Sequence, residues 1–244
     1  MTGQAQGERL VDLALNAIEL IDRNLYERTC DVRWWATDPA IVDCAAAPTD
    51  DRSAYACERL GVILAAYTVY LDLWLCGPDG RILANGRPDR YQVIGENVAS
   101  APWFRDARAL TSGDAYVAAD VVAEPRLGQA QVATFAASVG GGKGVLAVHF
   151  DWLPQAGTIV AGVRIDPAAR ERTRVLLVDG RGRVIAASDG EASLRETVSL
   201  ATGGRRSGYG RRNDGTVIAF HETPGYETYR GLGWYGVIIE QASG

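Results

Sequence analysis

The sequence is short of the residues from which metal sites and catalytic relays are made. Among 244 residues there are two histidines, four cysteines and one methionine. Cys30, Cys44, Cys57 and Cys76 form no CxxC pair, so a metal site has few candidate ligands, and neither a metal nor another cofactor is expected. Free thiols are the expected state, and a Cys44–Cys57 bridge would need an oxidising compartment. Long apolar runs are missing too. The most apolar stretch, residues 60–75, is interrupted by Asp72 and falls short of the roughly 18 residues a membrane span requires. Residues 1–6 are polar, without the basic and then apolar order of a signal peptide, which leaves a cytoplasmic chain or a piece excised from a larger one. With a net charge of −5 there is no basic excess to favour nucleic acid or an anionic membrane surface.

The common catalytic signatures are absent as well. Gly-x-Ser-x-Gly, HExxH and the dinucleotide fingerprint do not occur. The loop Gly140-Gly141-Gly142-Lys143-Gly144 departs from a phosphate loop, with Ala137 in place of the first Gly and Gly144 in place of Ser or Thr. His149 alternates with Val148 and Phe150 in a strand-like run, and His221 stands beside Glu222 at the end of another. Both read as satisfied structural histidines rather than bases. Arg205, Arg206, Arg211 and Arg212 bracket Gly208-Tyr209-Gly210 and read as a solvated hairpin. No enzyme is expected.

What is present is core: 47% of the residues are hydrophobic, enough for one large or two ordinary domains. Residues 8–35 carry Leu10, Leu13, Ala17, Leu20, Ile21, Leu25, Val32 and Trp35 at helical spacing. A helix of that length, about 40 Å, is a spine rather than an ordinary domain helix and a candidate homodimer seam. Asp38-Pro39 stops it and caps a successor over 39–47, and Thr49 or Asp50 caps a helix ending at Ala66. Residues 67–85 then alternate as a strand, turn at Gly77-Pro78-Asp79-Gly80 and return. A short helix is expected over 102–110, and strands over 115–122, 131–138 and 145–151. Beyond a border at Asp151/Trp152, helices are expected over 154–165, after Asp166-Pro167 and around Leu194. Strands are expected over 175–179, 183–187, 208–212, 216–221 and 234–240.

The hairpin recurs. Laying Gly80 on Gly182 puts Arg81-Ile82-Leu83-Ala84 on Arg183-Val184-Ile185-Ala186, and Gly144-Val145-Leu146 resembles Gly236-Val237-Ile238. Two echoes in the same order point to tandem α+β modules: a helical region 1–47, a first module 48–151 and a second 152–244. On alternating positions of the first module Tyr70, Asp72 and Trp74 share one face, as do Tyr116, Ala118 and Asp120, with Trp103 and Phe104 on a helix able to cover them and Tyr91 in the polar connection 86–100. Rings beside two carboxylates suit a flat ligand that donates hydrogen bonds or carries positive charge, an amine or a purine-like heterocycle. The competing reading is that the rings fill the core and that backbone donors satisfy Asp72 and Asp120. A free-standing solute-binding protein or an enzyme using the same cleft is the alternative function.

The segments YLDLWLCGPDGRILANGRP, APWFRDA, GVLAVHFDW and TPGYETYRGLGWYGVIIE, in this order, resemble the double Cache sensor domains of bacterial chemoreceptors and sensor kinases. The resemblance implies a long helix followed by two PAS-like modules with antiparallel sheets. It also implies a small molecule bound in the first module, a location outside the cytoplasmic membrane and an output domain elsewhere. Amino-acid-sensing members place an Arg two positions before the Trp of an Arg-x-Trp-Tyr motif. Ala101 stands there in this chain, before Trp103-Phe104, so the carboxylate clamp is absent. Trp103 and Asp120 carry over as candidate contacts.

Overall fold

The computed structural model describes residues 3–243. The chain divides into two compact units, one of residues 27–152 and one made of the residues before 27 together with those after 152. Helix α1, Gly3–Trp35, is 33 residues long and starts five residues earlier than its apolar spacing indicates. Its first part belongs to one unit and its last part to the other. The buried stripe of Leu10, Ala14, Ala17, Ile18, Ile21, Leu25 and Val32 fixes its orientation.

In the 27–152 unit, α2 (Pro39–Ala46) starts at Asp38, whose side chain accepts from the Ala40 N–H, and α3 (Asp50–Ala66) starts at Thr49, which accepts from the Arg52 N–H. Strands β1 (Tyr70–Cys76) and β2 (Ile82–Asn85) form the hairpin, followed by α4 (Pro102–Arg108), β3 (Val117–Ala118), β4 (Val122–Glu124), β5 (Ala130–Val139) and β6 (Gly144–Asp151). The antiparallel sheet runs β2-β1-β6-β5-β3, with β4 also on β5. The single strand expected over 115–122 is broken in two. Ala118 faces Phe135 and Val122 faces Val132, so the edge strand takes one residue more than its partner over this step. The extra residue makes a bulge, common on edge strands, and Val121 turns inward there and is fully buried.

The other unit adds α5 (Trp152–Gly162) and strands β7 (Thr173–Val178), β8 (Val184–Ala187), β9 (Ser207–Arg211), β10 (Val217–Glu222) and β11 (Tyr235–Glu240), ordered β8-β7-β11-β10-β9. No helix forms around Leu194, which adopts φ 61° in an irregular connection. The basic hairpin is held within the unit: Arg206 pairs with Glu222, and the Arg205 guanidinium lies 5.9 Å from the Phe220 ring.

The internal repeat holds in three dimensions. Gly80 and Gly182 take φ 87° and 84°, the left-handed region that a glycine adopts without strain. Each of their carbonyls accepts from a valine N–H further on, Val98 in one unit and Val198 in the other. The second echo is displaced, however. Cys76 pairs with Val145, and its counterpart Val178 pairs with Tyr235, so the partner of Gly236 is Leu146 rather than Gly144. An even shift keeps the faces in phase. Gly236 has its own reason to be glycine: a Cβ there would stand 2.0 Å from the Ala14 carbonyl of α1.

Candidate functional site

The face of β1, β6 and β5 beneath α4 is the candidate site. Side chains directly opposite in an antiparallel pair share a face, so the pairings Trp74–Asn85, Trp74–Ala147, Asp72–His149 and His149–Thr134 set these residues side by side. Above them α4 brings down Trp103 and Phe104, 8% and 1% exposed. The Trp103 ring lies 6.4 Å from that of Trp74 and 6.0 Å from that of His149, and the Trp74 ring lies 4.0 Å from His149.

Asp72 does not present its charge to the rings on this face. It is fully buried, and its Oδ1 accepts from the N–H groups of Leu73, Gly86 and Arg87 at 2.9, 3.0 and 3.1 Å. Its Oδ2 accepts from Trp74 Nε1 and Asn85 Nδ2, both at 2.9 Å. A carboxylate offers about four lone-pair positions, and these donors use them all. Burial holds its pKa above the ordinary value against the downward pull of the Asn85 and Trp74 bonds. Asp72 is therefore the internal tie between β1, β2 and the Trp74 indole.

Tyr70 lies on the opposite face, contrary to the expectation from alternation. The pairing slips by one residue between Tyr70 and Asp72, and this bulge reverses the direction of Tyr70. Its hydroxyl donates to Asp31 at 2.6 Å, and its ring meets Trp35 and Phe150 edge to face. Tyr116 is also turned away: the Arg33 guanidinium lies 5.3 Å from its ring, while its neighbours Val117 and Ala119 pack into the core under α4. Asp120 stands half-buried in the bulge between β3 and β4. Tyr91 packs at the margin of the core under α4 and accepts from Asn85 Nδ2 through its carbonyl at 2.9 Å. Of the eight candidates, the structure thus gathers Asp72, Trp74, Tyr91, Trp103 and Phe104 and separates Tyr70 and Tyr116 from them.

Two residues on this face lie outside the sequence-derived set. His149 is fully buried, and its Nδ1 shares a 2.9 Å hydrogen bond with Thr134 Oγ1, while Nε2 has no partner among the described residues. Burial lowers its pKa to about 3, so the imidazole is neutral. Asn85, also fully buried, uses Nδ2 twice and leaves Oδ1 without a partner. The available signal was a polar residue in each of two otherwise apolar strands, LAVHF and ILAN. The satisfied reading of His149 holds for one ring nitrogen only. All four cysteines are free thiols, and among the described residues no cluster could hold a metal ion. No helix among them is long and apolar enough to cross a membrane.

No family model matches the sequence, and no curated protein resembles it significantly. Solved structures do. The sensor domain of the Vibrio cholerae histidine kinase DctB superposes with a TM-score of 0.75 over 100% of both chains, at 14% identity. The sensory domain of the Campylobacter jejuni chemoreceptor Tlp3 gives 0.69 over 98% of this chain and 94% of its own, at 13% identity. The ligand-binding domain of the Pseudomonas aeruginosa amino acid chemoreceptor PctC, in complex with GABA, gives 0.69 over 97% and 100%, at 16% identity. A long helix leading into two modules with antiparallel sheets, matched over the whole chain, is the double Cache fold of bacterial receptor sensor domains.

Proposed function

We propose that the chain is the ligand-binding sensory part of a bacterial signal-transduction receptor, and that it takes a small organic molecule between α4 and the sheet of the 27–152 unit. The observation that carries this reading is the pair of buried, unpartnered atoms His149 Nε2 and Asn85 Oδ1 on the face that Trp103 covers. A buried polar atom left unbonded costs roughly 1–3 kcal/mol, and a ligand that bonds both atoms removes that cost.

The same atoms define the ligand chemistry. Asn85 Oδ1 accepts a proton donor, neutral His149 offers a lone pair or an N–H according to its tautomer, and Trp74 and Trp103 offer ring faces. With Asp72 saturated, only Asp120 speaks for a cationic amine. A flat, uncharged N–H donor such as a purine-like heterocycle fits better, and Ala101 in the clamp position speaks against an α-amino acid. Similar sensor domains with GABA or isoleucine bound support a small molecule as the ligand class.

Entry requires α4 and Trp103 to lift, so ligand binding favours an open arrangement over the closed one. Helix α1, which contributes to both units, is the natural route to an output domain, with no enzymatic step in the chain itself. Leu20 and Trp34, 42% and 69% exposed and two heptads apart on α1, are the proposed seam of a homodimer. The proposed location is outside the cytoplasmic membrane, as for receptor sensor domains of this fold. Thermal-shift screening of purines, amines and amino acids is the test. Uncharged heterocycles are expected to raise the melting temperature in a saturable way, and His149→Ala and Asn85→Leu to weaken them about tenfold. A screen in which nothing shifts the protein, or in which both variants respond like the parent, overturns the reading.

A further inference from the structure

A groove of about 650 Å³ opens in the 27–152 unit where the end of α1, the end of α4 and the β5–β6 loop meet. Arg33, Arg108, Ser138 and the glycines 140–142 line it, and no aspartate or glutamate does. In a chain with 30 acidic and 25 basic residues, such a lining concentrates positive charge against the overall balance.

The lining combines a fixed charge with further donors. Arg33 supplies the fixed charge: Nε donates to the Thr29 carbonyl at 2.8 Å, Nη1 to the Asp114 carbonyl at 3.1 Å and Nη2 to Thr29 Oγ1 at 3.2 Å, and the guanidinium lies over Tyr116. Arg108, in the last turn of α4, is exposed and makes no hydrogen bond or ion pair among the described residues. Ser138 Oγ is shielded from solvent without a partner. Gly140, Gly141 and Gly142 take φ 59°, 67° and 96° in succession, a left-handed turn that favours glycine. A Cβ on Gly141 or Gly142 would meet nothing within 4 Å, so conformation rather than crowding accounts for glycine there. The N–H groups of Gly141 and Gly142 take no backbone acceptor among the described residues. Consecutive free N–H groups in such a turn, with guanidinium and hydroxyl donors alongside, form an anion-binding concavity.

We propose that this groove is a second ligand site, separate from the one under α4, which binds the oxyanion of a small phosphorylated or carboxylated molecule. Its lining includes none of His149, Asn85 and Trp103. The loop leads into strand β6 rather than a helix, so the chemistry is that of a simple oxyanion and not of a nucleotide phosphate loop.

The test is titration calorimetry of the whole chain with inorganic phosphate and, separately, with succinate, at ionic strength held constant with chloride. Saturable one-site binding of at least one anion is expected, and Arg108→Gln or Ser138→Ala should weaken it about tenfold. Binding of phosphate alone assigns the site to phosphate esters, and binding of succinate alone to carboxylates. His149→Ala should leave anion affinity unchanged, which keeps the fate of this site independent of the one under α4. If neither anion binds above the chloride background, or if both groove variants bind like the parent, the proposal is overturned.

Discussion

The two units set the same sheet to different uses. Position for position, Trp74 and Asp72 of β1 correspond to Leu176 and Arg174 of β7. In the 27–152 unit, α4 covers this face with Trp103 and Phe104, and the core contains a carboxylate, an amide and an imidazole, all fully buried. In the other unit the corresponding face packs Leu176, Val178, Val184, Phe220 and Val237 under the irregular connection that carries Ala192, Val198 and Leu200. Arg174 there remains partly exposed and pairs with Asp189 and Glu196. One sheet face thus carries a buried polar cluster beneath a helix, and its repeat carries a plain apolar core with its charges at the surface. The repeat specifies the frame, while the covering segment decides what that frame buries.

The largest effect is expected for Asp72→Ala. It removes the acceptor of the Trp74 indole and of the Leu73 and Arg87 N–H groups inside the core, while Gly86 and Asn85 keep the Leu73 and Tyr91 carbonyls, and a loss of about 4 kcal/mol in chemical denaturation is expected. Next is Gly236→Ala, where the added methyl meets the Ala14 carbonyl and no flexible side chain can yield. A cost of about 3 kcal/mol is expected, although the equivalent position in the other unit holds Leu146.

A third test uses the carboxylates that anchor α1. Asp31 accepts from Tyr70 and pairs with Arg28 at 3.3 Å, whereas among the described residues Asp22 accepts from neutral donors, Thr223 Oγ1 at 2.6 Å and the Gly225 N–H at 3.0 Å. Burial, with Glu19 adding to it, raises the pKa of Asp22 to about 6 from an ordinary value of 3.8, despite those bonds. The folded value stands above the unfolded one, so the contribution of Asp22 is fully present below the unfolded value and is lost as pH rises through about 6. The stability of Asp22→Asn should therefore gain on that of the parent by about 2 kcal/mol between those limits. Parallel pH profiles of unfolding free energy for the two proteins would contradict this. The smallest effect belongs to Arg174→Ala, the counterpart of Asp72. Its ion pairs are partly exposed, and a loss of under about 1 kcal/mol is expected in the same denaturation experiment.

Much of the frame was legible in the residues. The helix stop at Asp38-Pro39, the Thr49 cap and the Gly80 and Gly182 turns follow from local chemistry that acts over three or four residues. The candidate site was legible in part. Trp74 and Trp103 meet under α4, but alternation puts Tyr70 on the wrong face because a one-residue bulge leaves no mark in the sequence. Asp72 was identified for its charge, and its role as an acceptor for five donors depends on where Gly86, Arg87 and Asn85 return, which no local pattern contains. For His149 a sequence shows that a polar residue lies in a strand but not which ring nitrogen finds a partner.

The tandem repeat, the long helix and the absence of metal-ligand spacing follow from residue identity and order along the chain, and the resemblance to the sensor family implies that Ala101 stands where amino-acid-sensing members have an arginine. Only the fold settles that five donors saturate Asp72, that His149 Nε2 and Asn85 Oδ1 lack partners among the described residues, and that Arg33, Arg108 and the glycine loop meet in one groove. Those outcomes depend on which donors and acceptors are exhausted by neighbours far away in sequence, and hydrogen-bond capacity is settled only when the strands pair.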